Sequence, residues 1–338
     1  MPSPESALNR PDARARALWV CNRCCRFAGT QGQIGGSELS VDVPVIPTSL
    51  WASLFRSDVA PQRRLRRRRP PGGRLLALGV LSACVVVACG DGQASEIAHL
   101  PESAKPVDPE GLFVVTYEPA SPETAVDEQF LRDRSVLEDF ADNMNDYVRI
   151  PREVKVMGLD CGESNAFYNE EAHSIELCYE LVREERESFS AAGVTGDDLD
   201  ISVYRSVVAV LYHELGHALI GELELPITGR EEDVADQMAA YILTSDDDSK
   251  DFLLTAAESY ALAGSRVAEY DDTDFSDTHS LDPQRSANFL CYVYGSDETN
   301  FRYLVDDGAL NEDRAESCAE EYEKLSTAWD TLLEPHIR

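Results

Sequence analysis

The pattern of apolar and polar residues predicts strands first and helices afterwards. Gly111–Pro119 and Glu153–Leu159 show the alternation of strands, and Ser121–Val148 between them repeats apolar residues at helical spacing. A hairpin follows, with one strand at Asn165–Asn169 and the next at His173–Leu181. These patterns indicate a small sheet in the first part of the domain.

The rest of the chain predicts helices. Asp198–Leu223 is long and strongly apolar, and Thr228 with Glu231 matches a capping box, which predicts that the next helix starts there and runs to about Thr244. Further helices are expected near residues 250–263, 281–295 and 313–333. The order predicts an α+β domain over residues 111–338, with a small sheet and a helical C-terminal half.

The N-terminal third has a different character. Residues 1–62 lack periodicity and predict a disordered extension, or a non-native one that arises when the start codon is assigned too early. Residues 63–89 join a basic run to an apolar run of 14 residues, too short to span a bilayer comfortably, and predict a secretory signal. A core helix or a plain membrane anchor is the alternative. Residues 90–110 are polar and read as a flexible linker.

The end of the apolar run resembles a bacterial lipobox. "VVAC" places Cys89 as the residue that would be lipidated, and "LSAC" offers Cys84 as a second candidate. We therefore expect an exported protein of the bacterial envelope, either lipid-anchored or released to the periplasm or the exterior, that reaches the membrane only through this anchor.

The charge is unevenly distributed. The chain has a net charge of −32; residues 1–89 hold 13 Lys or Arg against 5 Asp or Glu, so the remainder holds 17 against 57. Such an acidic surface repels nucleic acid and anionic lipids, which argues against both as partners.

The expected domain contains Cys161, Cys178, Cys291 and Cys318. Export would favour disulfides, and three pairings are open. We prefer Cys161–Cys178 and Cys291–Cys318, because each pair brackets a plausible hairpin.

Candidate chemistry lies in the long helix, in the run "HELGH". Residues i and i+4 share a helix face, so His213 and His217 can reach one metal ion, while Glu214 can contact a water beside it. Zinc in a catalytic site needs a third protein ligand and an open position. A buried histidine pair without metal is the alternative.

The next helix offers that ligand. Glu232 and Asp236 are also i and i+4, and a tight turn would return them to the histidine face. Glu232 suits the third ligand and Asp236 suits an acceptor for a histidine N–H. Glu231 and Asp233 could exchange roles with Glu232, although the capping box assigns Glu231 elsewhere.

"HELGH" followed by "EDVAD" resembles the gluzincin metallopeptidases. The stretches "CGESNAFYN", "IELCYEL", "YHELGHALIGELELPITGREEDVADQ" and "HSLDPQRSANFLCYVYG" resemble more closely an uncharacterised family of secreted bacterial proteins regarded as metallopeptidases. The resemblance spans about residues 110–335. It implies a zincin-like fold, one zinc ion on His213, His217 and Glu232, and Glu214 as general base.

The sequence departs from many gluzincins because the interval from His217 to Glu232 is short and holds no tyrosine or histidine to stabilise an oxyanion. His279 is the best candidate for that role, and Arg285 and Tyr260 are weaker ones. The hairpin strand that contains Ile175 and Leu177 is expected to be an edge strand that pairs with an extended substrate.

Together these features predict a monomeric zinc peptidase that hydrolyses peptide bonds of peptides or proteins. One alternative is an inactive zincin-fold lipoprotein that binds peptides or an envelope partner. Another is a module that collects cations on acidic runs, although these runs lack the spacing of a calcium loop.

Overall fold

A computed structural model of the chain describes residues 111–338, and the strands precede most of the helices as expected. The predicted extension, signal segment and linker lie outside the described residues, as do Cys84 and Cys89. None of the helices within residues 111–338 is long and apolar enough to cross a membrane.

The first part of the domain alternates strands with helices: β1 Phe113–Tyr117, α1 Ala125–Asp133, α2 Val136–Tyr147, β2 Val154–Leu159, β3 Ala166–Asn169 and β4 Ser174–Cys178. Helices make up the rest: α3 Tyr179–Ala191, α4 Asp197–Glu222, α5 Glu231–Leu243, α6 Lys250–Ser265, α7 Asp272–Ser276, α8 Asp282–Ser296, α9 Tyr303–Asp306, α10 Glu312–Ala315 and α11 Cys318–Leu333. The described part is therefore an α+β domain with a helical C-terminal half.

The four strands form one mixed sheet in the order β1-β2-β4-β3. β1, β2 and β4 are parallel to one another, and β3 pairs antiparallel with β4, with Tyr168 opposite Ile175. β3 is therefore an edge strand, and β4 lies inside the sheet.

Two predictions of local structure are wrong. The helix expected over Ser121–Val148 is broken into α1 and α2, because Ser135 adopts a left-handed conformation with φ of 50°. The strand expected to reach Leu181 ends at Cys178, where α3 starts and buries Tyr179, Val182 and Phe189 on one face. The alternation of apolar residues continues past Cys178, so it gives no sign that the strand ends there and a helix begins.

α4 is the central helix of the domain. It packs against α3, α5 and α6, and along its second half nearly every residue is buried. A helix that is apolar all round has no solvent face, so the polar residues it carries must find partners in the interior.

The structure contains both disulfides of the preferred pairing, Cys161–Cys178 and Cys291–Cys318. The first brackets the β3–β4 hairpin as expected. The second joins α8 to the start of α11, so that pairing is confirmed although no hairpin lies within it.

One acidic side chain in α6 has an unusual environment. Glu258 is 1% exposed, and neither carboxylate oxygen has a hydrogen-bond partner among the described residues. Burial raises its pKa from 4.5 to about 7. A carboxyl group in this setting keeps its proton to a higher pH than an exposed one does.

Candidate metal centre

Two helices bring three ligand atoms together. On α4, the Nε2 atoms of His213 and His217 lie 3.3 Å apart. From α5, the Oε2 atom of Glu232 lies 3.3 Å from the first and 3.1 Å from the second. The three atoms form a nearly equilateral triangle.

A close approach between α4 and α5 positions this triangle. A Cβ atom added to Gly216 would lie 2.7 Å from Cα of Ala235 and 3.0 Å from its Cβ. Any larger residue at Gly216 would therefore push α5 away from α4. The glycine between the histidines of "HELGH" and the alanine of "EDVAD" allow the helices to meet.

On each imidazole, Nδ1 faces away from the triangle and lies within hydrogen-bond distance of a carboxylate. Asp236 Oδ1 lies 2.8 Å from His213 Nδ1, and Glu231 Oε1 lies 2.8 Å from His217 Nδ1. Such partners orient the rings and hold the proton on Nδ1, which leaves Nε2 free to bind a metal ion.

The contact made by Glu231 replaces the capping box predicted with Thr228. α5 begins at Glu231 with Arg230 as N-cap, and no side chain caps it. The Glu231 side chain contacts His217 instead, because the approach of α4 brings the imidazole within reach. Asp233, the other alternative to Glu232, accepts a hydrogen bond from Ser280 at 2.7 Å and does not join the triangle.

Arg285 from α8 completes the support of His213. Its Nε and one terminal nitrogen donate to the two oxygens of Asp236 at 2.9 and 2.6 Å, and its guanidinium lies 4.1 Å from the ring centroid of Tyr260. The chain of contacts therefore runs from Tyr260 through Arg285 and Asp236 to His213. The sequence raised Arg285 and Tyr260 only as weaker oxyanion candidates, because no spacing connects α8 with α5.

His279 reaches the cluster from the loop before α8. Its Nε2 lies 2.9 Å from Glu232 Oε2, and its ring stacks at 6.0 Å from that of His213. Two contacts fasten this loop to α5, since Ser280 donates to Asp233 and Arg230 donates to the carbonyl of Thr278. The structure therefore brings His279 to the centre, with a side chain that is 44% exposed.

Glu214 lies beside the triangle and is 5% exposed. Burial raises its pKa, while the charges of His213 and His217 and a hydrogen bond from the Tyr168 backbone oppose the increase. A carboxylate whose pKa is raised is a better proton acceptor at neutral pH than an exposed one.

The backbone contact from Tyr168 identifies the strand next to the site as β3. Cys178 N–H donates to the carbonyl of Asn165, so the backbone groups of Ala166 and Tyr168 point away from β4, toward the free edge. The prediction that Ile175 and Leu177 belong to a substrate-binding edge strand is wrong. Both are fully buried in β4, between β2 and β3, and along the chain α3 lies between that strand and the metal helix.

The electrostatics of the triangle follow from its contacts. Burial opposes ionisation of His213, but Asp236 and Glu232 outweigh it and raise its pKa to about 9. Burial likewise opposes a charged Glu232, but hydrogen bonds from His213, His217 and His279 hold its pKa well below the usual range. The carboxylate is therefore ionised across the physiological range, as a metal ligand must be.

The spacing of these atoms fits a metal ion. Ligand bonds of roughly 2.0–2.1 Å in tetrahedral geometry place ligand atoms about 3.3–3.4 Å apart, close to the three separations in this triangle. His213, Glu232 and His279 also have ligand atoms that all lie within 4.8 Å of one another. Imidazole nitrogens and carboxylate oxygens are ligands that suit divalent transition metals. Hydrogen bonds to the imidazole nitrogens that do not face the ion orient such ligands.

Comparison with known families gives one assignment. A family model described as "Putative metallopeptidase" matches residues 117–333, which contain every residue of the centre. Comparison with curated proteins gave no match, and comparison with solved structures gave none.

Proposed function

We propose that this chain, which belongs to the DUF4344 family of metallopeptidases, is a zinc-dependent peptidase that hydrolyses peptide bonds with Glu214 as general base. The observation that carries the proposal is the triangle of His213, His217 and Glu232 with the buried carboxylate of Glu214 at its side. A metal site with a purely structural role would have no need of that carboxylate.

The ion would be held by His213, His217 and Glu232. Membership of a metallopeptidase family implies a metal ion, and the nitrogen and oxygen donors at tetrahedral separations suit zinc. When bound, zinc lowers the pKa of a coordinated water and polarises a carbonyl group. Asp236 and Glu231 keep both imidazoles turned toward the ion.

Glu214 moves the proton in this proposal. Its carboxylate accepts a proton from the attacking water while the water oxygen bonds to the peptide carbonyl carbon. The same carboxyl group then gives the proton to the amide nitrogen as the C–N bond breaks, which releases an amine and a carboxylate. The raised pKa of Glu214 suits both transfers.

His279 and β3 position the substrate. The exposed imidazole of His279, next to Glu232, can donate to the carbonyl oxygen as negative charge develops on it. An extended peptide can pair with the outward backbone groups of Ala166 on β3, since that edge runs beside α4. β3 thus takes the role that the sequence suggested for the strand with Ile175 and Leu177.

The first test is metal content and hydrolysis measured together. We expect about one zinc per parent chain, little zinc in Glu232→Ala, and full zinc with at least a hundredfold lower hydrolysis of a peptide mixture in Glu214→Gln. A Glu214→Gln variant that is as active as the parent would end the assignment of the general base, and a parent without zinc would end the proposal.

The proposal extends to location. Two disulfides in the described residues fit a protein that leaves the reducing cytosol, which supports export through the segment at residues 63–89. The partners would be peptides or proteins, and the acidic surface disfavours nucleic acid. We propose a monomer with a lipid anchor at Cys89.

A further inference from the structure

A partly enclosed cavity lies beside the metal centre. Its volume is about 180 Å³, smaller than the roughly 300–1,000 Å³ that holds a drug-sized ligand, and this size suits a single side chain. His213, Glu214 and His279 line it together with Ser164 and Asn165, the residues before β3. A peptide that lies along β3 would therefore direct one of its side chains into this cavity.

The walls of the cavity combine apolar and polar side chains, and Arg285 is among the polar ones. Leu181, Ala209, Val210, Ala256 and Phe289 line it. Exposure decreases from the His279 side chain, which is 44% exposed, to Glu185, which is 9% exposed and also lines the cavity. The cavity therefore joins the metal centre to a buried carboxylate, with apolar side chains along part of its wall.

Serine side chains hold this carboxylate. The Ser259 hydroxyl lies 2.8 and 2.9 Å from the two oxygens of Glu185, and Ser206 also donates to it. Burial raises the pKa of Glu185, and the hydrogen bonds from Ser206 and Ser259 and the charge of Arg266 oppose this increase only in part. Two arginines in this region have other partners: Arg266 donates to Ser188, and Arg285, which also lines the cavity, donates to Asp236.

We infer that Glu185 selects a lysine or arginine side chain of the substrate, on the residue that follows the cleaved bond. The aliphatic stem would lie along the apolar walls while the cationic end meets the carboxylate. A carboxylate in a side-chain pocket is also how some serine proteases select basic residues.

The role of Glu214 indicates which substrate residue, relative to the cleaved bond, places its side chain in the cavity. This residue must deliver a proton to the departing amine, and it lines the cavity, whereas His217 and Glu232 do not. The side chain that enters the cavity should therefore belong to the residue that supplies the amine. This inference rests on the proposed peptidase function, so its test includes a binding measurement that needs no hydrolysis.

The binding test uses the zinc-loaded full chain and two succinyl hydroxamates, one with a 4-aminobutyl substituent and one with a butyl substituent. Calorimetry should show at least about tenfold tighter binding of the aminobutyl compound by the parent. Glu185→Gln should remove this preference. The matched control Glu258→Gln, which changes a buried carboxylate that does not line the cavity, should keep it.

The cleavage test maps the sites that the parent cuts in a peptide mixture by mass spectrometry. Lysine and arginine should be enriched directly after the cleaved bond. In Glu185→Gln, the preference for lysine over norleucine at that position should fall at least about tenfold. If the parent shows no hydrolysis and still binds the aminobutyl compound more tightly, the peptidase proposal fails and the assignment of the cavity stands. Equal binding of the two hydroxamates by the parent would overturn the assignment even if Glu185→Gln cannot be produced folded.

Discussion

Replacement of Glu258 by glutamine should stabilise the protein at neutral pH and leave it unchanged in acid. The side chain is 1% exposed, and its carboxylate oxygens lack partners among the described residues. Burial raises its pKa from 4.5 to about 7. Since a shift of one unit corresponds to about 1.4 kcal/mol, the ionised side chain should cost the folded state about 3 kcal/mol.

The pH dependence has a definite sign. The folded state keeps the Glu258 proton up to a higher pH than the unfolded state does. Between pH 4.5 and about 7 the folded chain therefore binds more protons at this site, and the free energy of unfolding falls by about 1.4 kcal/mol per pH unit. The stabilising contribution is complete below pH 4.5 and is lost as the pH rises through 7.

Urea unfolding of the parent and of Glu258→Gln, at intervals from pH 4 to 8, measures the effect. The difference between the two proteins removes the contribution of every other titrating group. It should be close to zero at pH 4 and should reach about 3 kcal/mol in favour of glutamine at pH 8. Glu298→Gln, on the surface, is the control and should show no such trend. A parent–variant difference that is constant over this range would refute the reasoning.

Two further predictions concern the metal centre. Gly216→Ala should weaken zinc affinity at least about tenfold, because the added methyl group would meet Cα of Ala235 at 2.7 Å and separate α4 from α5. Titration of the metal-free protein with zinc measures this affinity, and an unchanged value would show that the close approach is not needed. His279→Ala should keep its zinc and lower kcat about a hundredfold with little change in KM. Loss of the zinc would instead make His279 a fourth protein ligand and favour a structural site with no open position for water.

Helical spacing and polar residue types were enough to predict much of the centre. Four residues separate His213 from His217, and this spacing places both on one face of any helix, whatever surrounds it. The same spacing relates Glu232 to Asp236, so their convergence needed only a turn between two helices. The preferred cysteine pairing is also present, although the hairpin that motivated it exists only for Cys161–Cys178.

The other supports of the centre depend on residues that are distant in sequence. The choice between Glu231 and Glu232 depended on how α5 packs, and packing gave Glu231 a contact with His217 in place of a cap. Arg285 reaches Asp236 across 49 residues, and no pattern in either segment encodes that contact. The edge strand was misassigned because alternation shows that a strand is present but does not give its neighbours in the sheet.

The sequence by itself determined most of the elements, the ligand types and their spacing along each helix, because these follow from backbone periodicity and local chemistry. Only the tertiary structure decided which strand borders the centre, which side chains orient the imidazoles, and that Glu185 ends a cavity beside Glu214. Those relations arise when separate elements pack together, and packing depends on the shapes of all the surfaces at once.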